Sequence, residues 1–519
     1  MIRPLVPSHI SERLLRVVAR NGRTYALKVR PQVPPWRLQR VLTLCGTGES
    51  YRHATTIGVL PDDVLLEIFD RSHSYTYHGT WEWHILAHVC QRWRQIVFAS
   101  PRRLDLRIRC TDKTPVKTNL GIWPAIPIII NYGSPWQSIR PNDEDNVVAA
   151  LEHPDRVCFL LLSATGSQWE KLAKVMQEPF PMLTRLYIYS NIGSSPVLPG
   201  GFLGGSAPCL QEVTLSGISY PTLPTLLLSA SDLVVLRLHR IPPPGYISPE
   251  EMVASLAAFP RLKQFIIEFQ SATSRPDPIC PPPVTRTVLP ALTHFHFQGA
   301  GEYLEDLVGR IDGPRLIEIT TIYFNQVVDS QIAQLPKFID RSVGPKLNLL
   351  KHARVTFHRD RITFGMGHHY RPSLESLNCA PATTIIRCEG NNWQVPQIAQ
   401  VLSHFSAILS NVVHLELDAV PQFEGKDDVE LQHLLRHFST VQTLRVPQEL
   451  AGQVARALED SIGEMVVEVL PSLDLIYLAG QPASSIKKFV AVRRRSGRPV
   501  TVVRKKMQFD QQLMSYVSK

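Results

Sequence analysis

The chain is predicted to be an α/β protein: a small helical unit followed by a curved solenoid of short repeats around a parallel sheet. Three observations predict this. Two short amphipathic stretches lie near residue 60 and residue 90, the first followed by a polar, aromatic loop and the second stopped by Pro101. An apolar phrase then recurs about a dozen times between residues 154 and 480, and each copy carries period-two alternation. Prolines number 42 in 519 residues, about 8% against a usual ~5%, and they are spread along the chain, which disfavours long helices.

The bulk numbers narrow the classes. Apolar residues make up 44% and charged residues 19%, an ordinary globular balance. The net charge of +10 is uneven: residues 1–50 carry +7 and residues 486–519 carry +9, leaving the remainder at −6. An acidic body with two basic ends argues against nucleic acid as the partner. Eight scattered cysteines without a C-x-x-C pair read as small core residues of a reduced compartment. The apolar run "WPAIPIIINYG" is too short and too proline-rich to cross a membrane. The expected location is cytoplasmic or nuclear, with no membrane partner.

Residues 1–56 are read as a basic, flexible extension with one marginal helix, in preference to an organelle transit peptide. The helical unit spans 57–108. It opens on "LPDDVLLEIFDRS": Pro61 suits the first helical position, and Asp62 and Asp63 suit the positive end of the helix dipole. Val64, Leu65, Ile68 and Phe69 then share one face. After an aromatic loop, Leu86, Val89, Trp93, Ile96 and Val97 form a second helical stripe, closed by Pro101. A unit of about 45 residues cannot hide all these side chains internally. Each contributes roughly 1.5–3 kcal/mol only if it is covered. Part of the apolar surface must therefore meet another domain or another protein.

"LPDDVLLEIF" followed by "HVCQRWRQIVFASPRRL" resembles the F-box, in its fungal form: L-P-x-E-[VL]-L-x-x-I-[FL], a variable middle, then V-C-[RK]-x-W-[RK]-x-[IL] and a Ser-Pro close. It departs from that form in having no Trp after "SPRRL". The resemblance covers Leu60 to about Leu104, a tenth of the chain. It implies binding to the Skp-type adaptor of a cullin–RING ubiquitin ligase. The matching positions are Leu60, Pro61, Val64, Leu65, Ile68, Phe69, Val89, Cys90, Trp93 and Ile96, of which Trp93 is the first candidate for internal core. The competing reading is a helical cap on the next domain.

The repeat region spans 109–485. Copies of P-x-L-x-x-L-x-L include "PMLTRLYI" (181), "PCLQEVTL" (208), "SDLVVLRL" (231), "PRLKQFII" (260), "PALTHFHF" (290), "PRLIEITT" (314), "PSLESLNC" (372), "NVVHLEL" (411), "TVQTLRV" (440) and "PSLDLIYL" (471). "DRVCFLLL" (155) is a plausible first copy and "PKLNLLKHARVTF" (345) a degraded one. The leading residues Leu183, Leu210, Leu233, Leu262, Leu292 and Leu316 are spaced by 27, 23, 29, 30 and 24. This resembles the leucine-rich repeat, whose period is about 20–29. The later apolar positions of each copy alternate as in a strand and point inward, and each unit returns by a loop or helix. "EEMVASLAAFP" is such a return, with Met252, Val253, Leu256 and Phe259 buried, and 274–290 is expected to protrude. An α/β enzyme is the competing reading. Residues 486–519 form a basic cap and tail: a last helix, a Gly turn and a closing strand at Pro499–Val503. "RRRSGR" suits either a solvated cap or a nuclear localisation signal.

No Walker loop, nucleophile elbow or H-E-x-x-H pair occurs, so no catalytic residue, cofactor or metal is assigned, and the protein is not expected to be an enzyme. His358, Asp360, His368 and His369 are ligand types on what is read as a surface loop. The candidate target-binding surface is the concave strand face: Arg185, Tyr187, Tyr189, Arg237, His239, His294, His296, His414, Glu416 and Asp418. The function expected is a substrate receptor of a cullin–RING ligase, with an unidentified protein target. The alternative is a repeat scaffold without a ligase role.

Overall fold

A computed structural model describes residues 14–18, 24–28, 60–71, 83–112, 116–132, 138–191, 193, 195–271, 285–324, 333–347, 350–358, 361–367, 382–387, 395–419, 428–459, 469–478 and 484–504. The chain divides into two compact units, residues 1–129 and 130–519.

In the first unit, β1 (Leu14–Val18) and β2 (Thr24–Lys28) pair antiparallel, with Leu14 opposite Lys28. The marginal helix expected there is therefore replaced by a strand pair. Leu15, Val17, Tyr25 and Leu27 suit strands, and Asn21-Gly22 between them is the strongest short hairpin signal. Helices α1 (Asp62–Arg71), α2 (Trp83–Val89) and α3 (Gln91–Ala99) follow. The Leu65 amide donates to Pro61 O at 3.0 Å, so the helix starts where proline leaves no orphan N–H. Cys90 caps α3, its sulfur accepting from Trp93 N. The strand β3 (Ile108–Cys110) and a helix at Val116–Ile122 complete this unit. The Trp83 indole donates to Arg107 O at 2.9 Å and its ring meets Trp123 edge-on.

The apolar run weighed as a membrane segment supplies strand β4 (Ile128–Tyr132). Among the described residues no helix is long and apolar enough to cross a membrane.

The second unit is a repeat of strand and return. Its strands are β5 (Val157–Ala164), β6 (Arg185–Ser190), β7 (Glu212–Ser216), β8 (Val235–Ile241), β9 (Gln264–Phe269), β10 (Thr287–Val288), β11 (His294–Gly299), β12 (Ile311–Asp312), β13 (Glu318–Tyr323), β14 (His352–Phe357), β15 (Arg361–Gly367), β16 (Ala382–Arg387), β17 (His414–Ala419), β18 (Thr443–Val446), β19 (Leu475–Leu478) and β20 (Thr501–Arg504). β10 pairs only with β12. The others form one sheet in the order β5-β6-β7-β8-β9-β11-β13-β16-β15-β14-β17-β18-β19-β20. Every neighbouring pair is parallel except those made by β15.

That arrangement is a leucine-rich-repeat solenoid sheet. The leading residues Leu183, Leu210, Leu233, Leu262, Leu292 and Leu316 are all fully buried. Leu186 and Ile188, Val213 and Leu215, Leu236 and Leu238, and Phe265 and Ile267 are buried behind them in register. Helical returns lie at Gly166–Val175, Leu223–Leu228, Pro249–Leu256, Gly301–Arg310, Val395–Ser403, Asp428–Arg436 and Ala451–Glu459. The return at Pro249 starts on a reciprocal cap between Ser248 and Glu251. It buries Met252, Leu256 and Phe259, whereas Val253 is only half-buried.

The region at 345–387 departs from simple repetition. The chain leaves β13, places β14 three positions further along the sheet, then returns antiparallel through β15 to put β16 beside β13. "HARVTF" of the degraded copy forms β14, whereas Gly365–Gly367, at the start of the "GMGHHY" stretch read as a surface loop, end strand β15. The copy at 372–379 and most of 274–290 lie outside the described residues.

At the end of the chain, helix Ser484–Arg495 precedes β20, which starts two residues later and ends one residue later than the closing strand expected at Pro499–Val503. Arg493 of "RRRSGR" is buried and donates to Leu470 O at 3.0 Å, Pro471 O at 3.3 Å and Leu473 O at 3.4 Å. The guanidinium thus satisfies carbonyls of the preceding turn. A capping role accounts for this residue directly.

Candidate functional site

Two surfaces carry the candidate residues. In the first unit, Leu65, Phe69, Trp93 and Ile96 are buried within the unit itself, and the Phe69 and Trp93 rings pack together. Leu60, Val64, Ile68 and Val89 are half-buried, and Pro61 and Cys90 are exposed. Half-exposed aliphatics at i and i+4 on α1 form a ridge beside the buried row. Polar ties hold the helices around it. Arg92 bonds Asp62 Oδ1 at 2.6 Å and Leu60 O at 2.5 Å, and Arg103 bonds Glu67 at 2.5 Å. The ion pairs are substantially exposed, so each adds at most ~1 kcal/mol. Their use is to fix the entry of α1.

The second surface is the open face of the sheet. Register places its side chains in rows. One row is Phe159, Arg185, Glu212, Val235, Gln264, His294 and Glu318. The next is Leu161, Tyr187, Thr214, Arg237, Ile266, His296 and Thr320. Tyr189, Ser216 and His239 share a third.

Glu268, on β9, is clasped from both sides. His239 Nδ1 lies 2.9 Å from one oxygen and His296 Nε2 lies 3.0 Å from the other. Burial pushes this carboxyl up, but the hydrogen bonds and charge of the two imidazoles outweigh it and bring it down to about 2. Burial raises the Tyr187 hydroxyl to about 12, helped by its hydrogen bond to Glu212. Glu212 also pairs with Arg185 at 3.3 Å. Burial raises Glu318 against the opposing charge of His294 and His296.

Arg185, Tyr187, Tyr189, Arg237, His239, His294 and His296 thus share one stretch of the open face, on the alternate strands β6, β8 and β11 with β7 and β9 between them. His414, Glu416 and Asp418 are not part of that group: β13, β16, β15 and β14 intervene between β11 and β17. They belong to a second cluster, where Glu416 lies 2.7 Å from Arg354 and 3.7 Å from Arg445, and His414 stacks on His352 at 4.5 Å. Burial raises both the Glu416 and Asp418 carboxyls.

Residues absent from the sequence-based set are Glu212, Glu268 and Arg240. The alternation of "QEVTLS" and "QFIIEF" already assigns the two glutamates to the open face. Arg240 falls out of alternation because β8 carries a bulge between Leu238 and Ile241. Of the suggested ligand types only His358 is described, with its amide bonded to Arg361 O. Among the described residues no group of three or more His, Cys, Asp or Glu side chains is arranged to hold a metal ion.

No family model and no curated protein matches the chain. Among solved structures it is similar to the leucine-rich repeat-containing protein LegL7 from Legionella pneumophila, at 11% identity and a TM-score of 0.26, covering 76% of this chain and 99% of that one. At that distance the likeness adds nothing to the repeat register itself, on which the assignment of a repeat protein rests.

Proposed function

We propose that this chain is a substrate receptor of a cullin–RING ubiquitin ligase. Its helical unit engages a Skp-type adaptor, and its repeat sheet holds a protein target. The observation that carries the reading is the pairing of "LPDDVLLEIF" with "VCQRWRQI", together with the half-exposed row of Leu60, Val64 and Ile68 along α1. Such a ridge gains about 25 cal/mol for each Å² of apolar surface an adaptor covers. The receptor supplies no reacting group. It raises the effective concentration of the target beside a conjugating enzyme. Tyrosine, arginine and histidine on the open sheet face favour protein recognition.

The test is co-purification of a Skp-type adaptor with the full chain, wild type against Val64→Ala/Ile68→Ala. Adaptor recovered with the wild type and lost with the folded variant supports the receptor. A folded wild type that recovers none leaves the second reading, a leucine-rich-repeat scaffold whose target face acts without a ligase.

A further inference from the structure

The charges on the open face are not evenly satisfied. Glu212 is taken up by Arg185 and Tyr187, and Glu268 by His239 and His296. Two arginines of β8 are left facing neutral partners. Arg237 Nη2 donates to Gln264 Oε1 at 2.6 Å. Arg240 donates to Ser190 O at 2.9 Å and Ser216 Oγ at 3.2 Å. Among the described residues neither is ion-paired with a carboxylate.

The backbone is shaped to put Arg240 there. The β8 bulge adds one residue, and Arg240 itself sits at a φ of 49°, which non-glycine residues rarely adopt. Gly217 faces it at a φ of 68°, and a Cβ at Gly217 would lie 3.3 Å from Arg240 Nη2. The left-handed backbone of Arg240 is strain of the kind that accumulates at binding sites, whereas Gly217 takes its positive φ without cost. Around it stand Tyr189 and His239, in register with Ser216, and Tyr187 lies in Arg237's own row. Between Tyr187 and Arg237 the Thr214 hydroxyl is buried and has no hydrogen-bond partner.

We infer that the patch formed by Tyr187, Tyr189, Arg237, His239 and Arg240 is an anion-recognition site that takes the carboxylate of an acidic, extended peptide segment. Arginine forks match carboxylates, and the flanking tyrosines give apolar cover for the peptide between its acidic side chains. This rests on the reading of the open face as the target surface. It is independent of the helical unit, so adaptor recovery and peptide binding fail separately.

The experiment is a fluorescence-anisotropy titration of the full chain with a labelled, end-blocked hexaglutamate peptide at near-physiological salt. The variants are Arg237→Gln and, on the basic last helix, Lys487→Gln/Lys488→Gln. Circular dichroism checks the fold of each. The expected result is that Arg237→Gln weakens binding about tenfold or more, whereas the helix variant changes it less than about twofold. Equal affinity of wild type and Arg237→Gln would overturn the site. So would the absence of hexaglutamate binding to wild type at about 1 mM peptide, the weak limit of a useful contact.

Discussion

The Phe69 and Trp93 rings pack with centroids 4.6 Å apart and planes tilted by 58°, tying α1 to α3 inside the first unit. Both are essentially out of solvent, whereas Val64 and Ile68, on the same helix as Phe69, are half-exposed. Phe69→Ala is therefore expected to cost about 3–5 kcal/mol and Val64→Ala under ~1 kcal/mol. Hydrogen exchange across Asp62–Ala99 separates the two, since only the first should speed exchange throughout all three helices.

Glu268 gives the open face a signature in acid. Its carboxyl is held below the ordinary value, at about 2 against 4.5, by His239 and His296. A depressed carboxylate adds stability above its unfolded value and loses it as pH falls through the folded one. Wild type should therefore shed this contribution between about pH 4.5 and pH 2. Glu268→Gln should melt lower than wild type at pH 6 and converge with it near pH 2. Thermal melts across that range measure the difference.

Gly217 is a position where a single methyl has consequences. At its φ of 68° any other residue is strained, and the new Cβ would press on Arg240. Gly217→Ala is expected to lower stability by about 1–2 kcal/mol. Denaturant unfolding of the full chain reads this, with Gly497→Ala as a comparison: Gly497 also has a positive φ, but a Cβ there meets nothing within 4 Å.

The adjacent arginines of the last helix should behave oppositely. Arg493→Ala takes the guanidinium donor from the Leu470, Pro471 and Leu473 carbonyls, of which Leu470 O keeps the Leu473 amide, at a cost of about 1.5–3 kcal/mol. Arg494→Ala, on an exposed position, should stay within ~0.5 kcal/mol. Thermal melts of the two variants test the capping role.

Much of this was legible in the sequence because one physical rule repeats. A strand with one buried face demands period-two alternation, and a repeat that cannot bury its face alone demands a neighbour. The leading leucines and the face residues from Arg185 to His296 follow from those demands. What escaped was where the rule is broken. Antiparallel β15 is invisible to the parallel repeat pattern, so the pattern alone groups His414 and Glu416 with strands from which β13, β16, β15 and β14 divide them. The β8 bulge hid Arg240 by shifting the alternation one residue. In the helical unit, periodicity found the apolar faces of α1 and α3 but not which residues each helix hides from the other. Leu65 and Phe69 turned inward, while Val64 and Ile68 stayed half-exposed.

The most direct measurement is a binding titration of a purified Skp-type adaptor against three folded chains: wild type, Val64→Asp/Ile68→Asp and Arg237→Gln. Binding to wild type and to Arg237→Gln with equal affinity, and loss in the α1 variant, is the outcome expected of a receptor whose helical unit docks on the ligase while its sheet holds the target. Unchanged binding in the α1 variant, or none to the folded wild type, would contradict it.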